Sequence, residues 1–211
     1  MNKRLEWALI AAIVVGTMVG AASAKAASSE LAMLADVTNM NVGRVTTPPV
    51  GYVEFCEANP HECGRGNQRG GKIALGEPDL AQLKSVNDTV NERVQPMTDM
   101  DHYGVVERWA YPDDGFGDCE DYVLAKRRAL IALGWPAETL LITVVRDKNG
   151  DGHSVLTVAT DHGDLVLDNQ QPGVMPWYET GYRFVKRQAQ GNPDEWVSLG
   201  DVRAPVTVGR N

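Results

Sequence analysis

Gly117–Val145 reads GDCEDYVLAKRRALIALGWPAETLLITVV, and its period changes halfway along. In the first half Tyr122, Leu124, Ala125, Ala129 and Leu133 recur at helical spacing, Gly134 stands where a helix stops, and Pro136 follows. The spacing predicts a helix starting at Asp118 or Cys119 and ending before Gly134. From Thr139 the pattern turns: Leu140-Leu141-Ile142-Thr143-Val144-Val145 is short, apolar and rich in β-branched residues, which predicts a strand. A thiol therefore stands at a helix N-terminus that packs toward a sheet. Unpaired backbone N–H groups and the helix dipole at that position favour a thiolate, the form of cysteine that attacks carbonyls.

Downstream, Asp147–Gly152 is a turn, Ser154–Thr160 a second strand, Asp161–Asp164 another turn, and Leu165–Asp168 a third strand. Further strands are expected at 182–186 and 196–199. The turn at Asp147 imitates the first half of an EF-hand loop, but the twelfth position, where that loop needs an acid, is Val158. Upstream, Pro78 opens a helix whose Leu80, Leu83, Val86, Val90 and Val94 share a face, ending before Pro96. Gly64–Gly76 reads as an exposed loop and Thr47-Pro48-Pro49 as an extended entry. The class is α+β, helices first and an antiparallel sheet after.

The chain of 211 residues begins with Lys3 and Arg4, then an apolar run from Trp7 to Ala22 and the small residues Ala22-Ser23-Ala24. These are the parts of a secretory signal peptide, and the run is shorter than the roughly 20 residues a spanning helix needs. The expected organisation is a removed signal peptide over 1–24, a flexible mature N-terminus over 25–47 and one domain over 48–211, with an uncleaved anchor as the alternative. A formal net charge of −8 argues against nucleic acid and anionic membranes as partners, since both demand clustered Lys and Arg. An exported, periplasmic protein without stable membrane insertion is expected.

Three cysteines are present, Cys56, Cys63 and Cys119. An oxidising compartment would let the close pair bond, stabilising the fold by about 2 kcal/mol through a short closed loop, and would leave Cys119 free. A nucleophilic cysteine needs a base beside it and a third group to orient that base. His153 begins one strand and Asp168 closes the next, so a short antiparallel hairpin makes them neighbours. Of the other histidines, His61 lies between the paired cysteines, His102 in an irregular stretch and His162 at a turn tip. Asp118, Glu120 and Asp121 flank the thiol. They serve either as caps and dipole partners or as calcium ligands, for carboxylates beside a thiolate raise its pKa and a hard cation relieves that repulsion.

The segments Gly115–Tyr122, Lys126-Arg127, Val145-Arg146, Gly152–Leu156 and Leu167–Asn169 resemble, in order, the bacterial transglutaminase-like cysteine proteinases, the family that includes the periplasmic LapG proteases. The likeness extends from about Pro48 to about Gln188. It implies a papain- or transglutaminase-like core with Cys119 as nucleophile, His153 as base and Asp168 as orienting acid. It further implies calcium at Asp118, Glu120 and Asp121, a surface adhesin as substrate, and an inner-membrane receptor as regulator. The mechanism expected is thioester formation by Cys119 followed by hydrolysis, with the oxyanion held by the Cys119 N–H and an upstream donor; Trp109 is a candidate by its place, although an upstream tryptophan more often serves as core or cleft wall. Acyl transfer to amines and a catalytically silent binding module are the rival readings.

Overall fold

The computed structural model describes residues 39–63 and 70–200. The expected signal peptide and the first part of the mature N-terminus lie outside the described residues, as do positions 64–69 of the expected loop. Among the described residues, no helix is long and apolar enough to cross a membrane.

The described residues form nine strands and four α-helices, in chain order β1 (Val45–Thr46), α1 (Val50–Ala58), α2 (Glu77–Arg93), β2 (Gln95–Pro96), α3 (Asp99–Tyr103), β3 (Phe116–Gly117), α4 (Cys119–Ala132), β4 (Leu140–Arg146), β5 (Gly152–Thr160), β6 (Gly163–Leu167), β7 (Val174–Pro176), β8 (Arg183–Ala189) and β9 (Asn192–Ser198). Seven strands form one sheet in the order β1-β9-β8-β4-β5-β6-β7, antiparallel throughout. β2 and β3 form a separate parallel pair just before the helix that carries the thiol. The expected α+β arrangement is the observed one, with α1, α3 and the short strands β1, β2, β3 and β7 added.

The strand pattern is near-continuous burial rather than clean alternation, because both sheet faces are covered. Ile142, Val144, Leu156, Val158, Leu165, Leu167 and Val185 join Leu80, Leu83, Val123 and Leu130 in the larger core, between the sheet and the helices. Their alternates Val145, Val155, Val166 and Phe184 pack with Met40 and Tyr182 in a smaller core on the opposite face. Leu130 is fully buried, and truncating it to alanine costs about 2–5 kcal/mol.

α4 stops where its sequence says it should. Gly134 takes φ 94°, its N–H bonds Ile131 O at 2.9 Å and the Trp135 N–H bonds Leu130 O at 3.0 Å, a Schellman closure that glycine enters without strain. Leu133, expected on the buried stripe, is the C-cap and 52% exposed. The helix unwinds one residue before it, so Leu130 fills that place in the core.

Two expectations are corrected near the start. The stretch after Pro49, read as extended, is α1: proline is tolerated at a helix entrance, where its missing N–H costs nothing, and Tyr52 and Phe55 bury one short face. Residues 39–47, assigned to a flexible segment, are ordered by the sheet. Val45 and Thr46 pair with Val197 and Trp196, and the Met40 N–H donates to buried Asp164 at 2.6 Å. Asp164 is also held by Arg187 at 3.0 Å. The Cys56–Cys63 disulfide is formed, tying α1 to the turn after it across 5.5 Å between Cα atoms. Cys119 is the free cysteine among the described residues.

Candidate active site

β5 and β6 are joined by a tight turn in a register that places Leu156 opposite Leu167, so the start of β5 lies beside the residue that follows β6. That geometry brings His153 and Asp168 together: His153 Nε2 donates to Asp168 Oδ1 at 2.8 Å, with both side chains 1% exposed. The carboxylate is saturated. Oδ1 also accepts the Gln170 N–H at 3.0 Å, and Oδ2 accepts the Tyr182 hydroxyl at 2.6 Å. Burial by itself would raise the Asp168 pKa, but the bonds from His153, Gln170 and Tyr182 outweigh it and hold the carboxyl below its ordinary value. The Asp168 carbonyl is fixed from α2, where Asn91 Nδ2 donates to it at 2.8 Å. The Tyr182 ring meets the imidazole edge-on at 5.6 Å. With Nε2 committed to the carboxylate, Nδ1 is the ring nitrogen left to accept a proton.

Cys119 opens α4 as expected and is buried against the sheet. Its sulfur receives the N–H of Ser154, the residue after His153, so thiol and imidazole are served by adjacent residues of one strand. The thiol donates to Glu120 Oε2 at 3.2 Å. Its pKa is pushed well above the ordinary thiol value, first by burial and then by the charges of Glu120 and Asp118. A helix N-terminus alone is worth about 1 kcal/mol, too little to offset two adjacent carboxylates in a buried site.

The acids beside the thiol behave differently from caps. Asp118 is the N-cap residue by position, yet its side chain makes no capping bond. Its two oxygens, Glu120 Oε1 and Asp121 Oδ2 are buried without a well-formed hydrogen bond among the described residues, with the Glu120 carboxyl and the Asp99 backbone the nearest polar groups to Asp118. Burial raises the Asp118 pKa to about 7 and the Asp121 pKa to about 8, and pushes Glu120 well above the carboxylate range. Asp99, from α3, completes a cluster with Asp118 and Glu120 in which one oxygen of each lies within 4.8 Å of the others. Asp121 stands apart from that group: its Oδ1 accepts the Ala110 N–H at 2.8 Å, and its side chain packs on Gly117, where an added Cβ would sit 2.7 Å from Oδ2. Glycine at 117 is thus a space requirement set by Asp121.

Asp99, Tyr182 and Gln170 escaped the sequence reading. Asp99 lies 19 residues before Asp118 and is aimed by its own bond from the Arg108 N–H. Tyr182 stands on the far side of β7. Gln170 has no pattern beyond its nearness to Asp168. Trp109 is core rather than oxyanion donor: its Nε1–H is spent on Glu107 at 2.9 Å and its ring packs edge-on against Tyr52 at 5.7 Å. Lys126, wholly buried one helical face along from Cys119, has its pKa lowered to about 7 by burial, with Asp168 and Asp88 opposing.

The family model described as bacterial transglutaminase-like cysteine proteinase BTLCP matches residues 42–204. No curated protein matches the chain. Similar solved structures come from Legionella pneumophila LapG. The calcium-bound form is 25% identical with a TM-score of 0.49, over 61% of this chain and 74% of that one. A second LapG structure is 28% identical with a TM-score of 0.47, over 57% and 70%. The EGTA-treated form is 28% identical with a TM-score of 0.44, over 51% and 61%, so this chain spans less than two thirds of it.

Proposed function

The chain belongs to the bacterial transglutaminase-like cysteine proteinases and is a cysteine peptidase; on that footing we propose that it is an exported endopeptidase in which Cys119 attacks, His153 moves the proton and Asp168 orients the base. The observation that carries the reading is the buried His153–Asp168 bond of 2.8 Å on the strand whose next N–H meets the Cys119 sulfur. The thiol proton passes to His153 Nδ1 and the thiolate forms a bond to the peptide carbonyl carbon. The C–N bond then breaks, and the leaving amine takes the proton back from Nδ1. Water attacks the thioester, gives its proton to Nδ1 and releases the acid, and the sulfur recovers the proton. The Cys119 N–H at the helix start is available to the developing oxyanion.

Asp99, Asp118 and Glu120 fit a hard divalent cation. They offer carboxylate oxygens only, they converge, and both Asp118 oxygens and Glu120 Oε1 are buried without partners among the described residues, which leaves a polar cost that a cation removes. Calcium is the proposed occupant, held by Asp99, Asp118 and Glu120 rather than by Asp121. When bound it supplies positive charge beside the thiol, favouring the thiolate. Export is supported by the signal-like residues 1–24 and by the Cys56–Cys63 disulfide. The proposed substrate is a protein, and the family resemblance nominates a surface adhesin, with an inner-membrane receptor as regulator.

The test uses the full mature chain with calcium and p-nitrophenyl acetate. A burst of phenolate equal to the enzyme, with the acetyl group on the Cys119 peptide and no burst in Cys119→Ala, is expected. A labelled primary amine joined to protein substrates with no new chain ends would replace hydrolysis by amine transfer. Cys119 alkylating no faster than free cysteine would leave a binding module.

A further inference from the structure

His153 must exchange protons with a substrate, yet its side chain is 1% exposed. Nε2 is turned inward to Asp168, and the other nitrogen meets a side-chain amide: Gln170 Nε2 lies 3.3 Å from His153 Nδ1. Gln170 is itself exposed, standing at the rim, and its backbone is pinned there because its N–H donates to Asp168 Oδ1 at 3.0 Å. The side chain is therefore a short arm on a fixed hinge. Its amide donates to the lone pair that the mechanism needs for the thiol proton.

We propose that Gln170 gates the base: in the free enzyme its side-chain amide occupies His153 Nδ1, and the arriving polypeptide displaces it. The proposal rests on the triad reading above. An N–H donor and an incoming thiol proton cannot share one lone pair, so the Gln170 bond breaks before the proton moves. The leaving nitrogen must later reach the same atom to be protonated, so the chain that follows the scissile bond passes over Gln170. The amide carries an acceptor as well as donors, and once off the ring it pairs with backbone groups of that chain. Gln170 is thus assigned to recognition on the leaving-group side. The other free partner in the site is consistent with a resting state, since the thiol is bonded to Glu120 and not to the base.

The experiment reads His153 directly with diethyl pyrocarbonate, which carbethoxylates an uncovered, unprotonated imidazole nitrogen, followed by peptide mass spectrometry. His162, 27% exposed, is the internal reference. His153 in the wild-type chain is expected to react much more slowly than His162, and Gln170→Ala to speed it about tenfold, the scale of one released hydrogen bond. Gln170→Asn, one methylene short of Nδ1, should behave like alanine and guards against a folding defect in either variant. An unchanged His153 rate in both variants, or a wild-type His153 as reactive as His162, overturns the gate. Phenolate bursts from p-nitrophenyl acetate, recorded on the same samples, separate the two readings. Bursts with no carbethoxylation difference leave the peptidase and remove the gate. The difference without bursts leaves the gate and removes the acyl-enzyme.

Discussion

The two sides of the candidate active site are built to different standards. On the base side both oxygens of the orienting carboxylate are bonded, although Asn91 Oδ1, Ser154 Oγ and Asn169 Oδ1 nearby are buried without a partner among the described residues. Asp168 accepts three bonds through its two carboxylate oxygens, and its backbone is tied to α2. On the nucleophile side Asp118, Glu120 and Asp121 keep buried oxygens with no partner among the described residues. A protein interior tolerates the first arrangement indefinitely and the second only at a cost of about 1–3 kcal/mol for each orphaned group. His153 and Asp168 are thus held by bonds within the chain, while Cys119 sits beside acids whose buried oxygens the described residues leave unpaired.

The largest effect that would break this comparison is on the base side. Asp168→Asn should keep the fold and lower p-nitrophenyl acetate turnover about a thousandfold or more, since the imidazole loses the acceptor that fixes its tautomer. Turnover within a few-fold of wild type would mean that the pair is structural. Next comes Glu120→Gln, which keeps shape and removes a charge from the cluster. Millimolar calcium is expected to raise the melting temperature of the wild-type chain, by about 3 kcal/mol of stability at a hundredfold excess over Kd, and the variant should lose that rise. An equal rise in the variant would move the cation elsewhere.

Tyr182→Phe tests how far the base side depends on its supporting bond. Its hydroxyl holds the second oxygen of Asp168, so kcat should fall about tenfold with KM unchanged, as kinetics with a single ester would show. A further effect is expected in the pH dependence of melting. Asp118 rises from 3.8 to about 7 in the fold and Asp121 from 3.8 to about 8, each first by burial. Between their unfolded and folded values the native chain binds more protons than the unfolded one, so in chelator stability falls as pH rises from about 4 to 8. Calcium should flatten that slope. A flat profile in chelator would show that the acids ionise without penalty.

How much of this was legible depended on how local the signal was. The His153–Asp168 pair could be read because a hairpin of known register converts sequence separation into contact, and α4 because its period, glycine stop and proline all agree. Asp99 could not be read, since it enters the cluster from another helix through the path of residues 104–117. The hydroxyl of Tyr182 arrives from beyond β7 by tertiary packing that no period encodes. α1 was hidden because Pro48, Pro49 and Gly51 are the usual marks of irregular chain, and only the buried Tyr52 and Phe55 reveal what holds it helical. The thiol's own chemistry was half visible. The dipole argument is local and correct, and it is outweighed by carboxylates whose burial only the fold reveals.

The two-residue strand β1 bears on how this protein can be cut. It is the outermost strand of the seven and hides the backbone of β9, where Trp196 is wholly buried. A recombinant fragment started at Pro48, the boundary that the sequence pattern invites, would lack both β1 and the Met40 anchor on Asp164. It would offer β9 as a bare strand rim to its neighbours in solution, and the triad could be intact in every molecule while the preparation clumps. Fragments begun at Asn39 or earlier keep that rim closed.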